Sequence, residues 1–105
     1  MTIKSDSAAR GKIEAVEVYL RAEGFADVET DPPGIIPPAH FHIVRAVTSH
    51  GERRVLWLSK EWLYWKPTAE AVVALLERKG VARSLNHHPR DITVVNDEQI
   101  SGIDA

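Results

Sequence analysis

A chain of 105 residues, 44% of them apolar, can bury about 60–65% of its unfolded surface without metals or disulfides, so residues 1–105 read as a single domain. The absence of cysteine excludes a disulfide framework, a zinc–thiolate site and a thiol nucleophile, and it suits the reducing cytoplasm. A net charge of −2 argues against a generic phosphate-backbone binder, although the balance is uneven: residues 1–39 sum to −3, residues 40–90 to +5 and residues 91–105 to −4. The basic middle reads as a solvated surface that could also meet an anionic partner.

The N-terminal stretch lacks the apolar core of a signal peptide, and no run approaches the ~18 apolar residues of a membrane span, so a cytoplasmic protein with no membrane partner is expected. Residues 1–6 read as a flexible tail. From Ser7, a plausible N-cap, a helix is predicted to Glu23, with Ala9, Ile13, Val16 and Leu20 on one stripe. Gly24 can take the left-handed conformation that ends it, with Phe25 touching Leu20.

Ala26 to Thr30 suits a short strand. Asp31 to Pro38, with four prolines, cannot continue it and reads as an extended loop anchored by Ile35 and Ile36. His40 to Thr48 and Arg53 to Ser59 are rich in β-branched and aromatic residues and read as a hairpin turning at His50-Gly51. A second helix is predicted from Pro67 to Gly80, with Ala69, Val72, Val73 and Leu76 as its apolar stripe. Asn86 to Arg90 reads as a loop, Ile92 to Val95 as a strand, and residues 96–105 as a frayed, flexible tail. The predicted fold is α+β: two helices on one face of a small, mainly antiparallel sheet, in the order α-β-β-β-α with room for an extra C-terminal strand.

A two-residue turn would pair Val44 with Trp57, His42 with Ser59 and His40 with Glu61, placing all six side chains on one face. That set has chemical potential through proton transfer. An imidazole of His40 or His42 titrates near neutral pH, Glu61 could orient it, and Lys60 or Arg45 could stabilise an anion. These parts suffice for cleaving RNA, whose 2′-hydroxyl is an internal nucleophile. The competing reading is a pair of partly buried strand histidines. Four imidazoles, from His40, His42, His87 and His88, could hold a metal only if distant segments met, and nothing in the sequence brings them together. No metal or other cofactor is expected.

Trp57, Trp62, Tyr64 and Trp65, with Lys60 and Lys66 nearby, could stack bases, fill the core or meet a protein partner. Core or edge packing is the expectation for most of this bulk. The binding candidates are thus Arg45, Trp57, Lys60, Trp62, Trp65 and Lys66.

The helix ending at Gly24-Phe25, the strand beginning His-x-His-Ile-Val, the strand Arg54 to Leu58 and the helix from Pro67-Thr68 to Gly80-Val81 resemble the HicA-type mRNA interferase toxins over about residues 10–82. The resemblance implies a double-stranded-RNA-binding-like fold and a ribonuclease whose histidine would be His42 or His40. In this chain Pro38-Ala39-His40 stands where that family has Gly-Ser-His. Two functions of different class are therefore expected: a non-catalytic binding protein that uses the hairpin and the Trp-rich junction to contact a protein or RNA or, as the alternative, a HicA-like metal-independent endoribonuclease. The sequence contains no signature that sets an oligomeric state.

Overall fold

The computed structural model describes residues 3–31 and 40–103, with side chains from Arg10 onward. The Pro-rich segment with Ile35 and Ile36 lies outside the described residues. The elements are α1 (Ile3–Ala22), β1 (Ala26–Thr30), β2 (Phe41–Val47), β3 (Arg53–Ser59), α2 (Lys60–Trp65), α3 (Ala69–Arg78), α4 (Val81–His87), β4 (Ile92–Val94) and β5 (Ile100–Ser101). The strands lie in the order β1-β2-β3-β4-β5, all antiparallel except β4 beside β3. The α+β class and the mainly antiparallel sheet agree with the sequence.

The hairpin register differs from the expected one by one residue. The loop is Ser49-His50-Gly51, closed by Thr48 N donating to the Glu52 carbonyl at 2.7 Å and Gly51 N donating to the Thr48 carbonyl at 2.9 Å. Gly51 sits at φ +83°, and the Thr48 hydroxyl accepts from the backbone N–H of both His50 and Glu52. This is a three-residue loop with glycine at its left-handed position, not the assumed two-residue turn. Val44 therefore faces Leu56, His42 faces Leu58, Ile43 faces Trp57 and Phe41 faces Ser59.

One face of the sheet carries the core. Val44, Ala46, Leu56, Leu58, Ile92 and Val94 are buried on it together with Val16 and Leu20 of α1, Leu63 of α2, Val72 and Leu76 of α3, and Leu85 of α4. Each of these Val, Leu and Ile side chains contributes about 1.5–3 kcal/mol by leaving water.

The helix ends explain several departures from the sequence reading. Helix α1 continues back to Ile3, so Ser7 is an interior residue rather than its cap. Its other end is as expected: Gly24 has φ +99°, and Phe25 N donates to the Leu20 carbonyl at 3.1 Å. Ser59 caps α2, its hydroxyl accepting from Trp62 N. Thr68, not Pro67, initiates α3 by accepting from Ala71 N at 3.1 Å. Gly80, in the left-handed region at φ +66°, ends α3 but lets α4 begin at once, so a helix extends into the expected loop as far as His87. Asn96 to Gln99 form a tight turn leading into β5, in the stretch read as a tail.

Two cations lie in the buried layer. Lys12 Nζ donates to the Leu63 and Lys66 carbonyls, both at 2.6 Å, at the C-terminal end of α2. Arg54 Nε donates to the Leu85 and His88 carbonyls at 3.0 and 3.1 Å, at the C-terminal end of α4, while its Nη2 meets Glu52 at 2.8 Å. Helix C-termini expose unpaired carbonyls and partial negative charge, which a buried cation satisfies. Tyr19 similarly spans elements, accepting from Ala82 N at 3.2 Å and donating to the Leu76 carbonyl at 3.4 Å.

Replacing Lys12 by Met keeps the length of the side chain and removes its donors. Urea unfolding should show a loss of about 1–3 kcal/mol, the cost of leaving buried carbonyls unpaired. An unchanged midpoint would mean that water caps α2 equally well.

Candidate functional site

The register divides the sheet into two chemically different faces. From β2 and β3 the buried cluster takes in Val44, Ala46, Leu56 and Leu58, all even-numbered, and none of the odd-numbered side chains. Trp57 stands between Ile43 and Thr93, with the Phe41 ring perpendicular to its own at 6.2 Å and 84°. Arg45 stands between Glu29 and Val55, and Val47 opposite Arg53. Phe41, Ile43, Val47, Val55 and Trp57 are half-buried, flanked by the exposed Arg45 and Arg53. Glu29, Arg45, Val47, Arg53 and Val55 also border a cleft of about 460 Å³ at the β1 side of the sheet.

Arg45 is not a free cation. Its Nε and Nη2 reach the two carboxylate oxygens of Asp31 at 2.8 and 3.0 Å. This paired geometry holds the Asp31 carboxyl below the usual range and raises Arg45 further. Both groups are substantially exposed, which limits the stability the pair contributes.

The expected His40, His42, Ser59 and Glu61 grouping is divided by the register. His42 lies opposite Leu58 on the helix-covered side, half-buried. Ser59 lies opposite Phe41, and its hydroxyl is used as the α2 cap. Trp57, expected beside the histidines, is on the other face. His40 is exposed at the start of β2, its carbonyl accepting from Lys60 N at 2.9 Å, and Glu61 is exposed in the first turn of α2. Burial, followed by the charge of Lys60, lowers the His42 pKa, so this imidazole is neutral at pH 7.

The Trp-rich junction also divides. Trp62 is only 5% exposed, and its indole N–H donates to Asp97. Lys66 Nζ reaches the same carboxylate at 3.0 and 3.2 Å and sits 5.9 Å from the Trp62 ring centroid. The hydrogen bonds from Trp62 and Lys66 hold the Asp97 carboxyl below its usual range. Trp65, by contrast, is 73% exposed and Tyr64 61%, with their rings perpendicular at 5.3 Å. Asp97 was missed because it falls in the presumed tail. The signal was local: Asn96 Oδ1 accepts from the N–H of Glu98 and Gln99, an Asx-type turn between Val95 and Ile100.

Among the described residues, no group of three or more His, Asp or Glu side chains could hold a metal ion. No described helix is long and apolar enough to cross a membrane. No protein family, curated protein or solved structure matches the chain.

Two titrations follow from these environments. Because the folded pKa of His42 lies below its ordinary 6.5, the unfolded chain takes up this proton first as pH falls. Stability should therefore drop as pH falls from about 6.5 through the lowered folded value. Urea unfolding at a series of pH values should show a shallower acid-side slope for His42→Gln than for wild type, and identical slopes would refute the desolvated imidazole. Asp97→Ala should cost about 1 kcal/mol at neutral pH, kept small by the exposure of the carboxylate. Because the folded Asp97 pKa is depressed, the difference from wild type should shrink as pH falls below the ordinary value of 3.8.

Proposed function

We propose that the protein is a non-catalytic binding module that docks a protein partner on the sheet face that the described helices leave uncovered. The observation that supports this is the strip of Phe41, Ile43, Val47, Val55 and Trp57, half-exposed and flanked by Arg45 and Arg53, on the face opposite the helix-packed core. An apolar centre with an aromatic anchor and an arginine rim is the composition of a protein–protein contact. Rigidity favours it further, since strand side chains lose little freedom on binding.

The charges weigh against RNA as the ligand. Two of the cations nearest the aromatic groups, Arg45 and Lys66, are bound to Asp31 and Asp97, so phosphates would have to displace carboxylates. Phe41 and Trp57 already pack against each other at right angles, so the two rings do not form a parallel stacking platform. In the junction, Trp62 supports the fold and Trp65 is the exposed contact candidate.

Co-purification from the native cell, with a photo-crosslinking residue at position 43, tests the proposal. A discrete protein adduct should form, and capture should weaken about tenfold or more in Trp57→Ser and Arg53→Glu variants that remain folded by circular dichroism. Capture indifferent to both substitutions, or an adduct with RNA alone, would overturn it. RNA cleavage by the purified chain that disappears in His40→Ala or His42→Ala would replace it with the HicA-like ribonuclease reading.

A further inference from the structure

On the far side of the helical layer, α1 and α3 leave a shallow groove of about 550 Å³ between them. Its apolar lining comes mainly from Val18, Tyr19 and Val73, with Ala15, Ala22, Ala69 and Ala74 keeping the walls low. Val18 is 61% exposed, an unusual position for a β-branched aliphatic residue on a helix that otherwise buries Val16, Tyr19 and Leu20. Among the described residues, the charged side chains lining the groove are acidic: Glu23 at the end of α1 and Glu70 and Glu77 on α3.

We propose that this groove docks a basic amphipathic helix of a partner protein, whose apolar stripe lies on Val18 and Val73 while Lys or Arg side chains reach Glu23, Glu70 and Glu77. Alanines on both walls allow a third helix to approach to about the 8–10 Å interaxial distance of packed helices. The acidic rim selects the sign of the flanking charges, because like charges brought together at a contact cost binding energy. The same rim disfavours a second copy of this chain, since two grooves facing each other would set glutamates against glutamates. Burial raises the Tyr19 pKa, the Ala82 N–H lowers it, and the charges of Glu23 and Glu77 raise it further. This surface is separate from the open sheet face, so the two could be occupied together.

The test uses a synthetic amphipathic helix of about five turns, carrying a Leu/Ala stripe flanked by lysines, and a matched peptide with glutamates in place of the lysines. Binding to the full chain is read by fluorescence anisotropy and mapped by amide chemical shifts. The lysine peptide should bind and perturb α1 and α3, and the glutamate peptide should not. Val18→Asp and the double variant Glu70→Lys/Glu77→Lys, both on the surface, should each weaken binding about tenfold. Trp57→Ser on the opposite face should leave it unchanged. Equal binding of the two peptides, no binding, or binding insensitive to Val18→Asp would overturn the proposal. So would a dimer in sedimentation that Val18→Asp disperses.

Discussion

The structure depends on the length of one loop. With Ser49-His50-Gly51 as the connection, Leu56 and Leu58 point to the same side as Val44 and His42, and Val55 and Trp57 to the side of Ile43 and Arg45. Closing the hairpin with one residue fewer would turn all of β3 over, because side chains alternate with a period of two. Leu56 and Leu58 would then leave the core and Trp57 would enter it. Strand β4 would be affected as well, since it aligns on β3 through Leu56 opposite Ile92 and Leu58 opposite Val94. The glycine at φ +83° and the Thr48 hydroxyl, which serves two loop amides, are what keep the longer loop in place.

Joining the parallel pair β3 and β4 requires the chain to cross the sheet, and it does so through three short helices. Helices of six to ten residues have little stability alone. Their ends are therefore tied to the rest of the molecule. Lys12 of α1 binds the last carbonyls of α2, Arg54 of β3 binds those of α4, and Tyr19 of α1 receives the first-turn N–H of Ala82. Each tie links residues far apart in the chain, so the crossover is ordered by the elements it packs on.

The features legible in the sequence were those with a local cause. The stripe through Val16 and Leu20, the Gly24-Phe25 ending of α1 and the β-rich arms on either side of Gly51 each follow from neighbouring residues. The illegible features had distant causes. Lys12 and Arg54 look like polar interruptions of an apolar pattern, and only the helix ends above them make their burial favourable. Helix α2 is too short for an amphipathic period, and its Ser59 cap reads equally well as the end of a strand. The candidate catalytic grouping depended entirely on register. His42 shares its side of β2 with Val44 and Ala46, whereas Ser59, the partner expected across the hairpin, lies opposite Phe41, and His40 and Glu61 fall outside β2 and β3.

The charge pattern of the chain has its explanation in the fold. The acidic outer segments return to the basic middle: Asp31, from the N-terminal third, binds Arg45, and Asp97, from the C-terminal end, binds Lys66. Arg54 is taken into the buried layer and answered by Glu52 and carbonyl groups. Two of the five excess positive charges between residues 40 and 90 are thus answered by the acidic outer segments, while Arg54 and Glu52 balance within the middle itself. Among the described residues, the sheet face opposite the core presents an apolar strip flanked by Arg45 and Arg53, and the side of α1 and α3 an apolar groove bordered by Glu23, Glu70 and Glu77.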